Sequence, residues 1–237
     1  MAALFEELDW AETPWGEISL RRRRDRITRR TVYEVKLDDD YLMSSQFTAT
    51  EQALASLGLA ALEGERLEVM VGGLGLGYTA SEALLDPRVA RVTVVEALAP
   101  VIDWHQRDLL PATSGLAADP RCDLRQHDFF ALVRDRAWST PLDALLVDID
   151  HSPAHLLRED HGDFYTQDGL RAAGRMLRPH GVLSLWSDDP PDEAFTAHLG
   201  AVFETVETHT VAFANPVTDG TSSCSVYVAA RPVAASS

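Results

Sequence analysis

The chain is poor in cysteine, in cations outside one short stretch, and in long apolar runs. Only two cysteines, Cys122 and Cys224, occur in 237 residues. That excludes a disulfide scaffold and a four-cysteine zinc site, and it fits a reducing, cytoplasmic setting. A chain of this length buries about 70–75% of its unfolded surface and needs no covalent staple. No apolar run approaches the roughly 20 residues of a membrane span. The opening MAALFEELDW is acidic where an export signal is basic, so none is expected. Lys and Arg number 21 against 37 Asp and Glu, a net charge of −16. Such acidity argues against nucleic acid, whose phosphates demand cations. There is no internal repeat and no low-complexity linker.

The scarce cations are concentrated. Residues 21–36 hold eight of the 21, Arg21, Arg22, Arg23, Arg24, Arg26, Arg29, Arg30 and Lys36, against Asp25 and Glu34. The stretch is +6 and the remainder is −22. We read it as a hairpin whose outer faces carry Arg beside an acidic neighbour, in preference to an arm for an anionic partner.

Residues 1–47 read as a small β segment, with strands at Ile18–Leu20, Val32–Leu37 and Tyr41–Met43 and a turn at Asp38-Asp39-Asp40. Residues 48–237 read as a second unit. It opens with a capping box, Thr48-Ala-Thr-Glu51, before a helix that Gly64 stops. From residue 67, strands expected at Leu67–Val71, Val92–Val95, Asp123–His127, Ala144–Val147 and Gly181–Trp186 alternate with helices. The helices fall at Thr79–Leu85, Pro100–Leu110, Phe129–Arg136, Gln167–Leu177 and Asp192–Leu199. Thr205–Phe213 and Ser225–Ala230 have no helix between them and predict a terminal antiparallel hairpin. Repeated strand–helix units imply a parallel sheet covered on both faces. The expected fold is α/β, a Rossmann-like seven-stranded sheet of the class I methyltransferase type behind the N-terminal β segment.

Gly72-Gly73-Leu-Gly75-Leu-Gly77 lies between the first of these strands and its helix. Glycines there let the backbone approach a ligand closely at a helix N-terminus. The dinucleotide pattern G-x-G-x-x-G counted from Gly73 would need glycine where Tyr78 stands. Gly73, Gly75 and Gly77, two apart, suit an S-adenosylmethionine-type ligand better. Glu96 ends the second strand, where a carboxylate can accept both ribose hydroxyls. Asp128 ends the third strand, ahead of Phe129, where it can accept an adenine amino hydrogen or cap the next helix.

The chemistry is expected at the ends of the next two strands. Asp148-Ile-Asp150-His151 follows one, and Ser187-Asp188-Asp189 follows the other. Acids converging near a sulfonium suit a cationic acceptor such as an amine. Asp148 and Asp150 are the candidate catalytic carboxylates, and His151, Asp188 and Asp189 the candidate acceptor ligands. His151, His155 and His161 stand in a proline-containing loop and are read as surface or hydrogen-bonding histidines, with no metal site expected.

Taken together, these residues resemble the spermidine synthase (polyamine aminopropyltransferase) family over roughly residues 15–230. The likeness rests on Glu34-Val-Lys-Leu-Asp38, the glycine loop, and Asp86-Pro87-x-Val89 through Glu96. It continues with Asp119-Pro120-Arg121, His127-Asp128-Phe129, Leu145-Leu-Val-Asp148 and Phe164-Tyr165. The resemblance implies that Glu96 binds ribose, that Asp128 and Phe129 meet adenine, that Asp148 activates the attacking amine, and that the protein is a homodimer. Members that use decarboxylated S-adenosylmethionine carry an aspartate in the glycine loop. Leu74 and Leu76 stand at those positions here, and the family's D-E-x-x-Y-H-E segment is reduced to Glu51. Without that loop carboxylate, repulsion against the carboxylate of intact S-adenosylmethionine is relieved. The sequence therefore favours methyl transfer from intact donor to a small amine. True aminopropyl transfer from decarboxylated donor is the alternative, and a non-catalytic nucleotide-binding module the third reading.

Overall fold

The computed structural model describes residues 5–233. Two sheets carry the chain. The first is a four-stranded antiparallel meander, β1 (Phe5–Thr13), β2 (Gly16–Arg24), β3 (Thr31–Leu37) and β4 (Asp40–Ser44), in sequential order. The second has seven strands, β5 (Leu67–Gly72), β6 (Val89–Glu96), β7 (Cys122–Gln126), β8 (Leu142–Val147), β9 (Leu177–Ser187), β10 (Phe203–Asn215) and β11 (Gly220–Pro232). Their spatial order is β10-β11-β9-β8-β5-β6-β7. Pairings among β7, β6, β5, β8 and β9 are parallel, and β11 pairs antiparallel with both β9 and β10. The α/β expectation with its terminal hairpin therefore holds.

The central strands β5 and β8 read as continuous apolar runs because helices cover both faces. Those helices are α1 (Ala49–Ala60), α2 (Tyr78–Leu85), α3 (Ala99–Gln106), α4 (Phe129–Arg134), α5 (Gln167–Gly174) and α6 (Glu193–Gly200). The strand order reverses direction at β5, with β6 and β7 on one side and β8 on the other, which opens a crevice at the strands' carboxyl ends.

Three local expectations are corrected. β1 was not anticipated, because the acidic stretch Glu6-Glu7-Leu8-Asp9 masks its alternation. The capping box at Thr48 does not form: Thr48 makes no side-chain cap bond, and the Glu51 carboxylate accepts from the Thr50 hydroxyl at 3.0 Å instead. The helix at residue 167 ends at Gly174, and Arg178-Pro179 falls inside β9.

β1 is the acidic neighbour of the Arg stretch. Arg22 meets Glu6 at 2.6 Å and Arg21 meets Glu7 at 3.5 Å across the β1–β2 ladder, while Arg23 bridges Asp25 and Glu34. The backbone N–H of Thr28, the Arg23 guanidinium and the backbone N–H of Ile27 converge on Asp25, holding its carboxyl well below the ordinary range.

The N-terminal sheet is bound to the large one by packing. Ile18, Leu20 and Val35 belong to the same buried cluster as Leu54, Val69, Val71, Leu146 and Val226. Burying side chains of this kind is worth about 1.5–3 kcal/mol each. This packing sets the meander over the glycine loop, where it forms one wall of the crevice.

Candidate active site

Gly73, Gly75 and Gly77 all have positive φ, +93°, +48° and +84°. A Cβ at Gly73 would sit 2.1 Å from the Asp148 carbonyl oxygen, so only glycine lets the β5 and β8 ends approach this closely. Glu96 then fixes the loop from the next strand. Its two carboxylate oxygens accept from the backbone N–H of Leu74 (3.0 Å) and of Leu98 (2.8 Å). Burial raises its pKa against these donors. Each oxygen keeps a further lone pair for a hydroxyl.

A crevice of about 270 Å³ runs past this loop, lined by Gly73, Gly75, Glu96, Leu98, Asp148 and Ile149 and roofed by Trp15, Val35 and Met43 of the N-terminal sheet. It leads to a small recess of about 40 Å³, bordered by Glu96, Asp128, Phe129, Phe130, Ile149 and His161. Asp128 does cap α4, accepting from Ala131 N–H at 3.0 Å through one oxygen, and it also borders this recess. The capping role and the ligand role are therefore compatible. Phe129 is buried against Gly72.

On the other side of Asp148 lies a chamber of about 210 Å³. Its charged lining groups are Glu51, Asp148 and Asp188, with His151 beside them and, among the described residues, no Lys or Arg. Tyr78, Trp186, Phe47 and Phe213 form aromatic walls. Asp148 accepts from the Thr79 hydroxyl at 2.6 Å, and the same hydroxyl reaches the Glu51 carbonyl at 3.3 Å. Burial lifts the Asp148 pKa to about 6. Burial first, and repulsion from Asp148 second, lift Glu51 to about 7. Such a pair titrates as a unit and carries about one proton near neutral pH. Cys224 also lines the chamber, but burial and Asp188 push its thiol up to about 12, which leaves it inert as a nucleophile.

Of the expected site residues, Asp148, Asp188 and His151 converge on this chamber, and Gly73, Gly75, Glu96, Asp128 and Phe129 border the crevice and its recess. Gly77 lines the chamber at the start of α2. Asp150 does not join them. It is 2% exposed and accepts from Leu157 N–H, His161 Nδ1 and the Tyr165 hydroxyl, each at 2.8 Å. Asp189 is held by Ser152 and by His155 Nδ1 (2.8 Å), which lower its pKa and pin the loop after β8 to the end of β9. Among the described residues, no cluster of three or more His, Cys, Asp or Glu is arranged for a metal ion.

Glu51, Tyr78, Thr79 and Trp186 were missed as site residues. Tyr78 and Thr79 directly follow the glycine loop, and that position was the available signal. Glu51 gave none beyond its place in a degraded family segment. A separate cavity of about 560 Å³, lined by α4 and α5, contains none of these groups.

Strand order, glycine loop and strand-end acids define a Rossmann-like fold of the methyltransferase type with an N-terminal β sheet. Two solved structures similar to it are spermidine synthases. One, in complex with the transition-state analogue AdoDATO, gives a TM-score of 0.74 at 18% identity, covering 94% of this chain and 73% of that one. Another, from Thermotoga maritima, gives 0.72 at 18% identity, covering 94% and 72%. Among curated proteins, polyamine aminopropyltransferase 2 of Pseudomonas aeruginosa is 29% identical over 156 residues, 61% of this chain and 42% of that protein. The polyamine aminopropyltransferase of Nitrosomonas europaea is 32% identical over 133 residues, 55% of this chain and 38% of that protein. These matches therefore span about two fifths of each curated relative. No family model matches the chain. The chain is spermidine-synthase-like in sequence and in fold, as its motifs implied. The relatives are named for aminopropyl transfer, which favours the alternative reading over methyl transfer. No helix among the described residues is long and apolar enough to cross a membrane.

Proposed function

We propose that the protein transfers an aminopropyl group from decarboxylated S-adenosylmethionine to a small cationic amine of the polyamine type. The observation that carries this reading is the charge of the chamber beside Asp148, whose ionisable walls are Glu51, Asp148 and Asp188, with His151 and no Lys or Arg. The carboxylate of intact S-adenosylmethionine would find no cation there, whereas an aminopropyl ammonium and a diamine find acids. Glu51 supplies on α1 what Leu74 and Leu76 do not supply in the glycine loop.

In this reading Glu96 accepts the ribose hydroxyls, Asp128 accepts from adenine, and the Gly73–Gly75 backbone gives the nucleoside room. Asp188 holds the distal ammonium of the acceptor. The reacting amine, with a pKa near 10.4, loses its proton to the Asp148–Glu51 pair at a cost of about 4.6 kcal/mol at pH 7. Its lone pair then forms a bond to the propyl carbon next to sulfur. The carbon–sulfur bond breaks with its electrons passing to sulfur, and neutral methylthioadenosine departs. Asp148 also orients the amine in line, and that positioning contributes to the rate. The aromatic walls face the acceptor's methylenes and ammonium groups. The reading carries with it a homodimer, as the resemblance implies, and a cytoplasmic location, as the scarcity of cysteine suggests.

Leu74 and Leu76 remain the observation that favours methyl transfer as a second reading. Offering both donors with putrescine and longer polyamines separates the two. Methylthioadenosine with an extended amine is the expected product, and S-adenosylhomocysteine as the sole nucleoside product refutes the proposal.

A further inference from the structure

His161 is 1% exposed, and its Nε2 is one of the few buried side-chain polar atoms among the described residues with no partner. Buried polar groups of native proteins are paired in the large majority, so a lone one calls for a partner, be it ordered water or a ligand, or for a function. The ring borders the same recess as Asp128 and Glu96. It packs on Phe130 with centroids 4.1 Å apart and meets Trp15 edge-on at 6.3 Å, so its position is set from two sides. Its other nitrogen, Nδ1, lies 2.8 Å from Asp150.

That second contact fixes the tautomer. Asp150 already accepts from Leu157 N–H and from the Tyr165 hydroxyl. Burial and the neighbouring Asp150 keep Tyr165 protonated, so it remains a donor. The nitrogen facing this acceptor carboxylate carries the hydrogen, and in the neutral ring Nε2 is left as a bare acceptor. The ligand atom that satisfies it is a hydrogen-bond donor, N–H or O–H. A 6-aminopurine offers two such hydrogens on one exocyclic nitrogen, and the Asp128 carboxylate borders the same recess to receive the other.

We propose that His161, held by Asp150, reads the 6-amino group of the purine and makes the site reject 6-oxopurines. An oxo group at that position would set oxygen against both Nε2 and the Asp128 carboxylate. This inference deepens the proposed function and rests on its nucleoside donor. It gives Asp150 a positioning role through His161 in place of contact with the acceptor.

The test is calorimetric binding of methylthioadenosine and methylthioinosine to the full chain and to its variants, with thermal melts to verify folding. The unsubstituted protein is expected to prefer methylthioadenosine by tenfold or more. His161→Phe keeps an aromatic ring but removes the acceptor, and is expected to cut that preference by about five- to tenfold. His161→Gln keeps a side-chain acceptor and is expected to restore part of it. A purely structural role for His161 would weaken both ligands equally, and an unchanged ratio in a folded His161→Phe protein overturns the inference. Binding of neither nucleoside by the unsubstituted protein overturns the donor reading and this inference with it. Preference without dependence on His161 overturns this inference alone.

Discussion

Asp148→Asn should make the protein more stable and nearly inactive, and the size of the gain follows from the site. Burial lifts the Asp148 pKa from 3.8 to about 6. One pKa unit corresponds to about 1.4 kcal/mol, so ionising this group in the fold costs about 3 kcal/mol. The cost has a definite pH window. Below about 3.8 the carboxyl is neutral in both folded and unfolded chains and nothing is lost. Between 3.8 and about 6 the unfolded chain releases its proton more readily, and stability falls as pH rises. Above about 6 the full penalty applies. Asparagine removes the charge and keeps an oxygen to accept from Thr79, whose hydroxyl now lies 2.6 Å from Asp148. At pH 8 we expect a gain of about 2–3 kcal/mol, or on the order of 5–10 °C in Tm for a chain of this size. At pH 4.5 the gain should shrink to about 1 kcal/mol. Turnover should fall by at least about 100-fold, since a positioned base contributes 10²–10⁴. Thermal melts of both proteins at the two pH values, with a transferase assay at pH 8, check this. A variant less stable at pH 8, or equally stabilised at both, refutes the account of Asp148 as a destabilised ionised group. Retained turnover refutes its role as the base.

Glu51→Gln removes the charge that shares a proton with Asp148, so the acid limb of the kcat/KM profile, set by groups near 6 and 7, should move to lower pH. An unmoved limb would separate Glu51 from the reacting pair. Gly73→Ala should abolish donor binding or folding, because its Cβ would stand 2.1 Å from the Asp148 carbonyl at a φ of +93°; calorimetry and a melt distinguish the two. Asp188→Asn should raise KM for a diamine several-fold with little change in donor affinity, whereas Asp150→Asn should lower stability by about 1–3 kcal/mol through its three broken or weakened contacts. The opposite pattern would return Asp150 to the acceptor site. Arg22→Ala breaks an exposed pair with Glu6 and should leave the midpoint of a denaturant melt nearly unchanged.

The acids gathered after β8 and β9 suggested a cationic acceptor, and the three-dimensional arrangement sharpens which of them bear on it. Asp148 and Asp188 line the chamber, while Asp150 and Asp189 spend their oxygens on His161, Tyr165, Ser152 and His155. The preference for methyl transfer came from counting carboxylates in the glycine loop alone. It gave no site role to Glu51, read as part of a helix cap and as the remnant of a family segment, which the fold turns toward Asp148.

What the sequence determined by itself is whatever depends on short-range pattern. Apolar runs of strand length, the helices between them and the missing helix before β11 specify a parallel sheet with a terminal hairpin. Glycines at 73, 75 and 77 and acids at the ends of β6, β7 and β8 mark the ligand edge, since strand ends share one side of a parallel sheet. The tertiary structure alone decided which acids face a ligand and which serve the scaffold. A carboxylate's role depends on the donors within about 3 Å of it, and those donors come from distant chain segments: Thr79 for Asp148, 69 residues away, and Ser152 for Asp189, 37 residues away. The same holds for β1 and the Arg stretch, whose charges are legible in sequence but whose pairing awaits the ladder that sets Glu6 opposite Arg22.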